Sequence, residues 1–207
     1  MIEQQVEAII LAADLERMLA SDESEANTEL NEELPKVVKQ SPFEITHYGL
    51  DVTLDPKAHS LSAAATLRVR SRGKEVRTLD FSLHPECKPT SVEVDGKPAR
   101  FIHPNDLLAV TPERPLSGKR EAVVRITYAR TGNAAMSDGA GYISPEGIYF
   151  ISEARWYPAT GELDFRSPVR LHATVPKGYT VVSIGALQGV RKDEKTSTFQ
   201  WETDRPA

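Results

Sequence analysis

Apolar and polar residues alternate along most of this chain. From Val169 to Val175 the alternation is complete, with Val169, Leu171, Ala173 and Val175 pointing one way and Arg170, His172 and Thr174 the other. A period of two marks a strand half-buried against a core. Pro176 removes a ladder donor and ends it, Lys177-Gly178 turns the chain, and Val181-Val182 open a strand over 180–191 expected to pair with it. Upstream, Tyr48, Leu50, Val52 and Leu54 form one apolar stripe and Leu61, Ala63, Ala65, Leu67 and Val69 another. Leu79, Phe81 and Leu83 predict a third strand, residues 107–110 a short one, and Ala122, Val124, Ile126 and Tyr128 one face of a long one. Asp95-Gly96 supplies the positive φ angles of a tight hairpin between residues 91–95 and 98–103. Thr196–Glu202 closes the set with Phe199 and Trp201 on one face. One-sided strands about ten residues apart, with no helical period among them, predict antiparallel sheets packed face to face.

The N-terminal fifth reads differently. Residues 2–20 hold no Gly or Pro and are rich in Ala, Leu, Ile and Glu, which predicts a helix. Ile2, Val6, Ile9, Ile10 and Ala13 would form its apolar face, to be covered by the β-domain or a neighbouring chain. Residues 21–33 are an acidic run read as a solvated linker. The expected division is therefore 1–41, helix and acidic linker, and 42–207, a β-sandwich domain. Residues 131–147, with four glycines and few bulky side chains, read as a long loop.

Charge follows the same division. Residues 1–40 hold ten acidic and three basic side chains, a net of −7, while residues 41–207 carry twenty and twenty-two, within a total of −5. Neither the acidic N-terminus nor the near-neutral body suggests nucleic-acid binding, which needs a basic face. No secretory signal or membrane-spanning run is visible in these residues, so membrane association is not evident and a cytoplasmic setting is the expectation. The single cysteine, Cys87, lies between Pro85 and Pro89 and is read as a structural thiol in a turn.

Catalytic chemistry finds little to stand on. His47, His59, His84, His103 and His172 are scattered along strands and loops, and no HExxH is present, so no metal site is expected in this chain. Ser183 lacks the glycine of a nucleophile elbow and is read as a strand-end serine. Glu153 and Arg155 are two apart, as are Glu162 and Asp164; exposed ion pairing is the expectation for such spacing in a loop.

The residues Ala154, Arg155, Trp156, Tyr157, Pro158, Phe165, Val175, Pro176, Gly178, Tyr179, Val182, Ser183 and Gly185 follow an order that resembles the N-terminal β-domain of the gluzincin M1 family of zinc aminopeptidases. The Trp-Tyr-Pro form resembles a divergent bacterial branch, and the likeness runs from Phe43 to Ala207. It implies a saddle-like, non-catalytic β-sandwich that packs on a C-terminal catalytic domain of the same polypeptide. Zinc and peptide hydrolysis would belong to that second domain. Residues 131–158 would face its cleft, making Glu153, Trp156 and Tyr157 the substrate-cleft candidates, with a peptide as substrate. Trp156 is also expected to serve the core. Two features depart from the family. Residues 147–152 lack the Gln or Glu that helps hold a substrate's amino group, and Ala159-Thr160-Gly161-Glu162 stands where Asp-Glu-Pro is usual. The alternatives are a stand-alone protein-binding sandwich, a carbohydrate-binding sandwich stacking sugars on Tyr149, Trp156 and Tyr157, and a scaffold derived from an inactive M1-like protein.

Overall fold

The computed structural model describes residues 7–11, 41–118, 120–151, 154–160 and 167–203. Nearly all of them are strand or turn, arranged in three sheets that do not close. The large sheet has eight strands: β14 (Ala186–Lys192), β15 (Thr196–Glu202), β12 (Val169–Pro176), β2 (Phe43–Asp55), β3 (Ser60–Ser71), β9 (Glu121–Arg130), β5 (Lys88–Val94) and β6 (Lys97–Pro98), in that spatial order. A four-stranded sheet runs β10 (Gly141–Ser144), β11 (Gly147–Phe150), β1 (Glu7–Leu11) and β13 (Tyr179–Ser183). A three-stranded sheet runs β4 (Leu79–Ser82), β8 (Leu107–Thr111) and β7 (Arg100–Ile102).

The predicted stripes become the core. Registers across the large sheet align Leu171, Leu50, Ala65, Ile126 and Val92 in one row over five strands, all buried. Leu79, Phe81, Leu108 and Val110 of the three-stranded sheet add their buried face, and Phe81 meets Phe43 of β2 edge to face at 5.4 Å. Ile143, Ile148, Phe150 and Val181 bring in the four-stranded sheet. These side chains form a single hydrophobic cluster. Asp95 and Gly96 turn the β5–β6 hairpin with φ of 52° and 76°, as the sequence predicts.

Several expectations are corrected. Pairing is not antiparallel throughout: β12 runs parallel to β2, and β1 runs parallel to both β11 and β13. Strands joined by long connections carry no hairpin constraint on direction. The strand expected over 180–191 is two strands in two sheets. β13 joins β1, β14 joins β15, and neither is laddered to β12. The break falls at Gly185, at φ 91°, where a Cβ would lie 2.3 Å from the Glu202 carbonyl oxygen. The loop expected over 131–147 contains β10 and leads into the β10–β11 hairpin. At the N-terminus, Glu7–Leu11 is a strand where a helix was expected, because ladder partners on both sides outweigh a weak helical propensity. The remainder of that predicted helix and the acidic linker lie outside the described residues. Among the described residues there is no α-helix, and none is long and apolar enough to cross a membrane.

Candidate functional site

Sequence reasoning points to residues 131–158, and there the structure builds a buried, charged corner. β9 ends at Arg130, whose guanidinium is almost wholly buried. Its Nε donates to Glu86 at 2.8 Å, and one terminal nitrogen donates to the carbonyls of Asn133 and Ala135. Glu86 also accepts the Ser137 amide at 3.1 Å. Burial acts to raise the Glu86 pKa, but Arg130 and Ser137 outweigh it and hold the carboxyl below its ordinary range. The other Arg130 terminal nitrogen, Nη1, has no partner among the described residues.

His84 joins this pair to the next. It is 1% exposed, and both ring nitrogens are engaged: Nδ1 accepts the Glu86 amide at 3.1 Å, while Nε2 lies 3.3 Å from Asp138. That arrangement fits a neutral imidazole with its proton on Nε2. Burial lowers the His84 pKa against the opposing pull of Asp138 and Glu86. The His84 amide donates to the Arg155 carbonyl at 2.8 Å. Arg155 sits at φ 46°, a costly left-handed conformation for a residue with a Cβ. Its guanidinium spans Asp106 at 2.6 Å and Asp138 at 3.2 Å. The ion-pair partners of Arg155 are thus Asp106 and Asp138; Glu153, the partner expected from the sequence, lies outside the described residues, as do Glu162 and Asp164. Asp138 also accepts the Ala140 amide at 3.0 Å. Desolvation acts to raise its pKa, but the Ala140 amide, Arg155 and His84 together hold it low.

Beside the charged corner lies an aromatic one. Trp156 is 7% exposed and stacks on Phe150 at 5.5 Å with an interplanar angle of 21°. Tyr157 meets Trp156 edge-on at 4.9 Å and 73°, and Tyr48 meets Tyr157 edge-on at 5.8 Å. Tyr149 points away from Phe150 and pairs with the exposed Tyr142 at 6.1 Å. Tyr149, Trp156 and Tyr157 therefore form no coplanar exposed platform of the kind a sugar requires. Cys87 is buried against the Trp156 carbonyl, and burial pushes its thiol up to about 12, which makes it an inert structural thiol.

The corner's solvent side is an open depression of about 520 Å³ lined by Asp138, Gly139, Ala140, Ile151 and Arg155. Asp138 and Arg155 face it already paired with each other. The hydrogen bonds and ion pairs of this group fix the hairpin and the turn after Arg155. Zinc does not fit this group. Among the described residues no group of three or more His, Cys, Asp or Glu is placed to hold a metal ion, and the one buried histidine has both nitrogens committed. Sequence reasoning missed Asp106, Asp138, His84 and Glu86; the signal was the density of charged residues flanking two loops, with nothing in their spacing to pair them.

Comparison with solved structures identifies the fold. A two-domain M1 zinc metallopeptidase variant bound to L-arginine superposes with a TM-score of 0.71 and 20% identity, over 81% of this chain and 40% of that one. The M1 zinc metallopeptidase of Deinococcus radiodurans superposes with a TM-score of 0.69 and 19% identity, over 79% and 39%. A variant of that enzyme bound to a Tyr-Ser-Ala substrate gives 0.70 and 19%, over 81% and 40%. The chain has the fold of part of these metallopeptidases and spans about two-fifths of their length. No protein-family model matches the sequence, and no curated protein matches it.

Proposed function

We propose that this chain is the N-terminal, non-catalytic domain of an M1-like zinc metallopeptidase, a saddle-like β-sandwich that walls one side of the active-site cleft. The observation that carries the reading is the coverage: four-fifths of this chain superposes on two-fifths of enzymes that are two-domain zinc peptidases. A catalytic domain on the same polypeptide is the partner, and zinc and peptide hydrolysis belong to it. In this reading residues 131–158 face the cleft. The Arg155 corner holds the β10–β11 hairpin in place, and the exposed Tyr142 with Tyr149 presents aromatic surface there. Trp156 and Tyr157 act from behind, as packing for that wall. A cytoplasmic setting and a bacterial source accompany this reading.

The test is to read the native gene beyond the codon for Ala207. The proposal expects an open frame encoding HExxH and a downstream Glu. A stop codon at that point would remove the peptidase reading, and a continuing frame without the ligands would make the protein a scaffold.

A further inference from the structure

The four-stranded sheet is completed by a strand from elsewhere in the chain. β11 and β13 are not paired with each other; each pairs with β1, which lies between them. β1 runs parallel to both, with Glu7–Leu11 in register with Tyr179–Ser183 and Ile10-Leu11 in register with Tyr149-Phe150. A strand parallel to both neighbours is joined to neither by a hairpin, and residues 12–42 separate it from β2. Without β1 the flanks would be two facing edges with unpaired amides and carbonyls, one strand apart.

We propose that the gap between β11 and β13 is a strand-acceptor site, with Glu7–Leu11 as a replaceable occupant and an extended apolar peptide as the ligand it takes in trans. Backbone ladders are indifferent to which chain supplies the strand, and side-chain pockets then select it. The flanks favour an apolar strand. Ile148, Phe150 and Val181 are buried on one face, and on the other Tyr142, Tyr149 and Val182 fall in one register row with the position of Ile10 between them. Tyr142 and Val182 are each 42% exposed, so an occupant has apolar neighbours on its open face as well. This inference does not rest on the peptidase reading and is tested without any activity.

The tether sets the scale of competition. A strand supplied by the same chain competes at an effective concentration on the order of 1 mM, so an identical free peptide half-displaces it at about that concentration. The experiment uses the full chain carrying Ile10→Cys and Val182→Cys. These register partners sit on adjacent strands about 4.8 Å apart, within disulfide range, and buried Cys87 does not compete. The probe is a fluorescent peptide of residues 5–13. The unsubstituted chain and the reduced variant should bind it saturably near 1 mM, and the oxidised, intramolecularly cross-linked variant at least tenfold more weakly. The same peptide with Pro at the position of Ile9 should fail to bind, because it lacks a ladder donor. A cross-link between two chains would also uphold the site, with a second copy supplying the strand. Equal binding by oxidised and reduced protein, no binding by reduced protein, or no cross-link of either kind would overturn it.

Discussion

Arg130 shows what a single residue holds in this fold. Its buried guanidinium joins Glu86 to two loop carbonyls that start the path to the β10–β11 hairpin. Removing one partner of a buried pair costs about 3–5 kcal/mol, and Glu86 is one-third exposed, so Arg130→Ala should cost about 3 kcal/mol in urea unfolding. An unchanged midpoint would show that water satisfies these groups unaided. The neighbouring titrations share one sign. His84 in the folded chain has a lowered pKa, so below its ordinary 6.5 the unfolded state binds the proton first and stability falls with pH. Glu86 and Asp138 are also lowered; their contribution is complete above their ordinary 4.5 and 3.8 and is lost as pH falls through the folded values. Stability should therefore decline on acidification from about pH 6.5, and His84→Asn should flatten the slope between pH 6.5 and 5 while leaving the steeper fall below it. A slope unchanged in that variant would assign the effect to another group.

The β10–β11 hairpin is the element that this corner serves, and its geometry leaves little room. A Cβ on Gly141 would lie 2.6 Å from the Phe150 ring and 2.8 Å from the Tyr149 carbonyl oxygen. Gly141→Ala should cost about 1–3 kcal/mol by forcing the strands apart. Quenching reports the same packing. In a Trp201→Phe variant the remaining Trp156 should emit in the blue and resist iodide, since Phe150 covers one of its faces; red-shifted, readily quenched emission would place Trp156 at the surface. At this scale the sequence was readable wherever burial alone decides. Leu61, Ala63, Ala65, Leu67 and Val69 alternate in the chain and are all buried in β3. It was unreadable where a partner decides. Alternation reports which face is wet and not which strand lies alongside, so the parallel register of Leu171 with Leu50 left no local mark. Arg155 finds Asp106 and Asp138 at sequence separations of 49 and 17, which no spacing rule reaches. The break at Gly185 depends on the Glu202 carbonyl, a neighbour only in the folded chain.

As a whole molecule, the described chain is three open sheets sharing one core, with an inert thiol, one committed histidine and paired carboxylates at its most polar corner. Under the proposed function this architecture positions surface for chemistry carried out elsewhere. The central claim is that the elsewhere lies further along the same polypeptide. The most direct test is metal analysis and tripeptide hydrolysis on two proteins, this 207-residue chain and the polypeptide extended through the whole native frame. The account predicts one zinc per chain and chelator-sensitive hydrolysis for the extended protein, and neither for the 207 residues alone. Stoichiometric zinc with hydrolysis by the short chain, or neither in the extended one, would contradict it.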